Sequence, residues 1–418
     1  MHVLHSGLFS FQEFVNFVEN QDTVCQLLAA IDTSVIARKF LPNWTGRPMY
    51  NRSAIFKALV LKEILQIPTI ESLIIVLAHS ESFSYWCGFD ITRRLPSATV
   101  FYRFHAELVQ DEELGKLFSG ICSDLVGKIA QNVDIKEAAI IIDSTDISSR
   151  ERPPAGKDEK VRREHCEKFG SAWGYRTAST GETEQYFGYK SHVAVAVTDA
   201  GVIPVALRLA PANVADVKVA TDGLIVDAIQ SFRDLFGKRP DYLIADAGYD
   251  ASEVYHQALS YGCQPIIKLN KRRLSKLPAA MTENGVPLCP ANRPMTFWGY
   301  EKERQTLKYR CPAVVGKEEC SQKCCQPNSY GLIKRIKITT NPRIFSNPPR
   351  GSEKWQQLYN LRSSVERWFA VMKDYLHLDR MTRRGIQKAY IDVMLKVIAY
   401  LATIVVRINM TEKTAAAA

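Results

Sequence analysis

Tyr359, Arg362, Glu366 and Lys373 are interleaved with the apolar residues Leu358, Leu361, Val365, Trp368, Phe369 and Met372. The apolar set recurs at helical spacing and predicts a helix over residues 355–376. At about 100° per residue, the four polar residues share a wedge of roughly 60° that borders the apolar face instead of opposing it. A polar stripe in that position lines a cleft more naturally than it faces open water. The bland alternative is a set of solvated i, i+4 ion pairs, each worth only a few tenths of a kcal/mol.

Two further carboxylates change the balance. The run Ala-Ala-Ile-Ile-Ile-Asp ends at Asp143, and Asp-Tyr-Leu-Ile-Ala-Asp ends at Asp246. Short continuous apolar runs suit strands buried on both faces. Carboxylates at the carboxyl ends of neighbouring strands, with Glu366 from a helix packed across them, converge on a volume where their repulsion must be neutralised. Divalent cations do this, and Mg²⁺ favours a few carboxylates together with water and phosphate oxygens. Other polar residues are weaker candidates. Asp146 falls on the opposite face of an extended strand from Asp143 and reads as a loop or supporting residue. Asp250 reads as a helix N-cap ahead of residues 251–261. Asn213 and Asp216 follow a strand and suit a cap at least as well as the cleft, and His192 reads as an ordinary packed or surface histidine.

The surrounding elements supply a frame. Residues 1 to about 130 read as short helices punctuated by Pro42, Pro48, Pro68 and Pro96. Residues 187–198 alternate as a strand, Gly201 marks a turn, and residues 202–209 form its hairpin partner. Helices follow over 214–236 and 251–261, and a strand over 264–269. Residues 150–176 read as a loop rich in both charges. The order is mixed α/β, with antiparallel and parallel pairs in one sheet. Residues 271–350 interrupt it with prolines, cysteines and short strand-like pieces. The apolar stretch 389–406 carries Asp392 and Lys396, so it reads as a core helix and not a bilayer span.

The spacing Tyr-x2-Arg-x3-Glu-x6-Lys resembles the signature of one branch of the DDE transposases of bacterial insertion sequences. Asp143 in Ile-Ile-Asp-Ser-Thr resembles the family's first catalytic aspartate, and Asp246 in Ala-Asp-Ala-Gly-Tyr-Asp its second. Residues 50–65 and 93–104 look like the helical N-terminal domain that often accompanies this core, so the resemblance covers roughly residues 50–410. It implies an α/β ribonuclease-H-like core with a mixed sheet, interrupted by an insertion and preceded by an all-helical DNA-binding domain. The corresponding limits are 1–130, 131–270, 271–350 and 351–410. It further implies that Asp143, Asp246 and Glu366 hold Mg²⁺, with Mn²⁺ as a substitute, for cleavage of element ends and transfer of their 3′ ends to target DNA. Tyr359, Arg362 and Lys373 would contact DNA phosphates, and a homodimer or higher assembly would hold two ends. A nuclease of the same fold without strand transfer, and a catalytically idle DNA-binding relative, are the alternatives.

Composition agrees with a polyanionic partner. The 418-residue chain carries a net charge of +10 and a sequence pI near 9.0. Residues 334–384 hold 12 basic and 4 acidic residues, which is most of that excess. Lys268, Lys271, Arg272, Arg273 and Lys276 form a second basic run. Ten cysteines are too few for a secreted disulfide scaffold, and no basic-then-apolar leader opens the chain. A cytoplasmic, nucleoid-associated location is the expectation, with no membrane partner. Half of the cysteines lie at Cys289, Cys311, Cys320, Cys324 and Cys325. Cys289, Cys311 and Cys320 with Cys324 or Cys325 could hold a structural zinc, against reduced and unligated thiols as the alternative.

Overall fold

The computed structural model describes residues 21–41, 49–111, 113–156, 158–177, 181–270, 280–317, 319–320 and 330–417. Its first part is helical: α1 (Gln21–Ala30), α2 (Ser34–Lys39), α3 (Arg52–Ile64), α4 (Ile70–His79), α5 (Glu81–Cys87), α6 (Ala98–Gln110) and α7 (Leu114–Ala130). Local chemistry starts these helices. The Asn51, Thr69 and Ser80 side chains accept hydrogen bonds from the backbone N–H groups of Ser53, Ser72 and Phe83. Phe56, Phe101, Phe104 and Phe118 fill the space between the helices and are fully buried.

The second part is built on β1 (Ile135–Ser148), α8 (Glu159–Phe169), β2 (Ala172–Thr177), β3 (Thr183–Thr198), β4 (Val202–Pro211), α9 (Asp216–Val219), α10 (Ile225–Phe236), β5 (Tyr242–Ala245), α11 (Ser252–Ser260) and β6 (Gln264–Ile267). The sheet runs β2-β3-β1-β5-β6, with β4 also on β3. The β1–β3 and β3–β4 pairs are antiparallel, while β1–β5 and β5–β6 are parallel. This is the mixed sheet expected of a ribonuclease-H-like core. Both faces are covered, which explains the continuous apolar runs. Ile140, Ile142, Ala194, Ala196, Leu243 and Ala245 pack towards α10 and α11. The alternate residues Ile141, Val193, Val195 and Ile244 join the larger core with the C-terminal helices.

The expected insertion carries β7 (Thr296–Glu301), β8 (Thr306–Arg310), α12 (Pro312–Gly316) and β9 (Ile333–Lys337), whose strands form a separate antiparallel sheet. Met295, Leu307, Tyr309, Ile338, Ile344 and Phe345 give it a small core of its own. Cys289 and Cys311 are buried there and Cys320 is half-buried, whereas Cys324 and Cys325 lie outside the described residues. Three helices complete the chain: α13 (Glu353–Asn360), α14 (Ser363–Leu376) and α15 (Ile386–Ala417). Within α15, Ile386–Thr411 is long and apolar enough to cross a membrane, but 89% of its apolar window is buried inside the fold. It packs against α1, α3, α6, α7 and β4. The two charged residues within 389–406 find partners: Lys396 donates to buried Glu63 of α3, and Asp392 accepts from Thr382 Oγ1 at 3.3 Å. The expected core helix is therefore the spine that joins the helical part to the sheet.

Several sequence readings need correction. The strand bearing Asp143 does not end there: β1 continues to Ser148, because β3 supplies partners as far as Gly188. The charged segment 150–176 is not all loop. It contains α8, which Asp158 caps and which buries none of its residues, so no apolar periodicity announces it. Asp250 is not an N-cap, since Ala251 occupies that position. It is fully buried and accepts from Arg343 Nη2 at 2.8 Å, the Asn270 N–H at 2.8 Å and the Tyr255 hydroxyl at 3.0 Å. That pair ties the end of the insertion to the loop after β5.

Gly188 sits where β1, β2 and β3 meet, pairing with Ser148 and Ala172. A Cβ there would lie 2.1 Å from the Ile147 carbonyl oxygen and 2.7 Å from the Ser149 nitrogen. Both are backbone atoms and cannot rotate away. Gly188→Ala is therefore expected to destabilise the protein by about 3 kcal/mol or more, read as a lower urea midpoint, with the change confined to stability if helical content in the folded state is unaltered.

Candidate active site

Asp143 lies on β1 just beyond the last residue paired with β5, Ile142. Past that point this edge of β1 has no strand partner until the isolated bridge from Ser148 to Arg380. The gap opens where the parallel pairing of β1 with β5 stops, at the carboxyl end of β5, the usual side for ligand sites in such sheets. Asp246 is the first residue after β5, and its carboxylate accepts the Gly248 N–H at 2.8 Å. Asp143 and Asp246 thus follow the last paired residues of β1 and β5, Ile142 and Ala245.

The predicted helix over 355–376 is present but tightened in the middle. Leu361, Arg362, Ser364 and Val365 each donate their N–H to the carbonyl three residues back, at 2.9–3.1 Å. The result divides α13 from α14 and overwinds the turn between Tyr359 and Glu366. Tyr359 stacks on Trp355, with ring centroids 5.0 Å apart and planes at 10°. Arg362 turns its guanidinium into the gap, where Nη1 lies 2.8 Å from Glu366 Oε1 and 3.7 Å from Asp143 Oδ2. The arginine therefore stands between two of the three predicted acidic residues.

The electrostatics follow from that crowding. Burial pushes the Asp143 carboxyl up to about 7, and the neighbouring charges of Asp246 and Glu366 add to the effect; the Ser144 N–H and Arg362 oppose it without cancelling it. One guanidinium does not balance the carboxylates gathered here. Hard oxygen donors carrying surplus negative charge are what a divalent cation requires. Among the described residues, however, no three His, Cys, Asp or Glu side chains lie close enough to hold a metal ion as they stand. The donor chemistry fits; Arg362 occupies the space between Asp143 and Glu366.

Lys373 is placed differently from Arg362. One stretch of helix further on, it donates to Asp146 Oδ1 at 3.3 Å, while Arg176 Nη1 donates to Asp146 Oδ2 at 2.9 Å. Burial alone would raise the Asp146 carboxyl, but Lys373 and Arg176 hold it below the usual carboxylate range. Asp146 is thus a buttress for Lys373 at the margin of the cleft, in keeping with a supporting role. Arg176 escaped the sequence reading because β2 lay inside an apparent loop; the alternation of Trp173 and Tyr175 around Gly174 was the available signal. His192 is fully buried and, chiefly by burial, is lowered to about 4, so it is neutral at physiological pH. Lys268 is exposed beyond β6, and Lys271, Arg272, Arg273 and Lys276 lie outside the described residues.

Residues 135–402 match the family described as the Transposase DDE domain. The chain belongs to that family. Residues 12–107 match a second family, described as Transposase domain (DUF772). This DDE protein is accordingly a DNA transposase, an enzyme acting on DNA, of a family that generally uses divalent metal ions. Among solved structures, the transposase is similar to the piggyBac transposase of a cryo-EM synaptic complex with hairpin DNA. The alignment covers 94% of this chain and 76% of that one, at 12% identity and a TM-score of 0.43. No curated protein sequence matches it.

The raised Asp143 carboxyl makes a prediction about the metal-free transposase. Between the ordinary aspartate value near 3.9 and about 7, the folded state keeps a proton that the unfolded chain releases, so stability falls as pH rises through that window. In chelator, Asp143→Asn should therefore stabilise the protein above pH 7 by an amount on the order of 4 kcal/mol at most. The gain should shrink steadily towards pH 4. A gain of the same size at pH 5 and pH 8, measured by chemical denaturation, contradicts the assignment.

Proposed function

We propose that Asp143, Asp246 and Glu366 are the catalytic carboxylates and hold Mg²⁺, with Mn²⁺ as a substitute, for cleavage of element ends and transfer of the 3′ ends to target DNA. The observation that carries this reading is the placement of Asp143 and Glu366 on either side of Arg362, with the Asp246 charge acting on Asp143. Bound divalent ions would supply activation of the attacking oxygen and stabilisation of the leaving oxygen in an in-line displacement. The protein's own residues do the rest. β1, just past its pairing with β5, and the end of β5 would fix two carboxylates, and α14 would bring the third across the cleft.

Arg362 is well placed to exchange partners. Its guanidinium satisfies carboxylates in the metal-free protein and offers a planar fork suited to a DNA phosphate once cations balance those charges. Lys373, steered by Asp146, gives a second phosphate contact at the cleft margin, and Tyr359, fixed by its stack on Trp355, gives a third. The N-terminal helical part, residues 1–130, is proposed to bind DNA, with the catalytic core formed by residues 131–270 and 351–410 around the insertion at 271–350. Two ends must be held together for joining, so the working unit is a homodimer or higher assembly on double-stranded DNA in the cytoplasm.

The test uses DNA carrying the element's ends. Asp143→Asn should lower nicking and joining by about a thousandfold, equivalent to roughly 4 kcal/mol of transition-state stabilisation, while end binding in Ca²⁺ persists. Arg362→Ala and Lys373→Ala should each reduce the slope of log affinity against log salt by about 0.9 for the phosphate lost. Normal cleavage by Asp143→Asn removes the carboxylate assignment. Products that are only hydrolysed, never joined, select the nuclease reading.

For the insertion, the proposal is a stabilising zinc held by Cys289, Cys311, Cys320 and Cys324. Its support is cysteine spacing alone, since the three described thiols form no ligand group by themselves. Metal analysis of protein purified without chelator should return about one zinc per chain; a value near zero rejects the site.

A further inference from the structure

Asp143 has a counterpart on the other face of its own strand. Alternation along β1 sends Ile140 and Ile142 towards α10 and α11, and Ser144 continues that series while Asp143 faces α14. Ser144 pairs across the sheet with His192, and Lys190 lies two residues away on the same face of β3. Behind them stands Asp216, the first residue of α9. It caps nothing: the N-cap position belongs to Ala215, which makes no side-chain cap bond. Instead Asp216 Oδ1 accepts from Lys190 Nζ at 2.9 Å and from Ser144 Oγ at 3.2 Å.

Ser144 is the residue that joins the two faces. Its hydroxyl donates to Asp216, and its backbone N–H donates to Asp143 Oδ1 at 2.8 Å. His192 Nδ1 lies 3.8 Å from the same Asp216 oxygen, but the ring is neutral at physiological pH, so Lys190 is the cation that holds Asp216 in place. The Tyr249 hydroxyl, fully buried, is kept protonated by burial and by the nearby charges of Asp216, Asp143 and Asp246. A chain of polar contacts therefore runs from Lys190 through Asp216 and Ser144 to the carboxylate of Asp143.

We infer that Asp216, anchored by Lys190, is a positioning residue of the transposase that acts through Ser144 to orient the Asp143 carboxylate for metal. The inference rests on the reading of Asp143 as a metal ligand. Groups that orient a ligand without touching the ion characteristically contribute tenfold to a hundredfold in metal affinity. Asp216 and Lys190 act as a unit, so removing either abolishes the same effect and removing both adds little.

The experiment measures Mn²⁺ binding to the full-length, DNA-free protein by electron paramagnetic resonance, together with the Mg²⁺ concentration for half-maximal nicking of end-bearing DNA. Asp216→Asn, Lys190→Met and Ser144→Ala should each weaken Mn²⁺ binding and raise the Mg²⁺ requirement by about tenfold or more, with end binding in Ca²⁺ unchanged. Lys190→Arg should restore both, and the Asp216→Asn/Lys190→Met double variant should be no worse than either single one. Ser144→Ala removes only a hydroxyl and keeps the test valid if a charge variant folds poorly. Wild-type Mn²⁺ binding and Mg²⁺ requirement in Ser144→Ala and Asp216→Asn overturn the inference. Asp143→Asn serves as the reference: if it binds Mn²⁺ like the wild type, the metal assignment itself fails, whereas its loss of Mn²⁺ beside intact Asp216 and Ser144 variants removes only the positioning role.

Discussion

Repulsion among carboxylates gathered at the edge of a buried sheet is the constraint around which this transposase is organised. Asp143 is largely withdrawn from water and feels both Asp246 and Glu366, so its ionised form is disfavoured until a cation arrives. Arg362 supplies part of the missing positive charge from the N-cap of the helix that carries Glu366. The fold maintains this repulsion at the edge of the sheet, and Arg362 relieves it only in part.

Holding mutually repelling groups together demands a rigid frame, and the fold supplies one by burying the sheet on both faces. The buried apolar residues of β1, β3 and β5 divide by parity between the α10–α11 side and the side of the C-terminal helices. The long helix α15 then binds the N-terminal bundle to this sheet, its buried Lys396 matched by Glu63. Such a pair contributes less to net stability than to fixing one arrangement, since an unmatched charge in either position would be costly. At the other side of the site, Asp250 and Arg343 fasten the returning chain of the insertion to the loop after β5. The helix bearing Glu366 therefore starts from an anchored point.

Local patterns made much of this legible. The apolar runs ending near Asp143 and Asp246 announced buried strands, and the period of Leu358, Leu361, Val365 and Met372 announced the helix that carries Glu366. Each is a short-range property of consecutive residues. Less was visible where partners are distant: β1 extends past Asp143 because β3 pairs with it, and α8 has no buried residue to betray its period. The overwound turn at Leu361 and Arg362 departs from ideal helical angles, so the wedge computed for a straight helix captured the face but not the local geometry.

By itself the sequence determined the order of the acidic candidates along the chain and the strands and helix that carry them, because residue type and periodicity are written locally. Tertiary structure alone decided which charges meet. Asp216 turned from a plausible cap into the partner of Lys190 and Ser144, Asp250 from a cap into the partner of Arg343, and Lys373 into the partner of Asp146. Those pairings join residues tens to hundreds of positions apart, and sheet register together with helix packing, which no short window of sequence specifies, brings them within hydrogen-bonding distance.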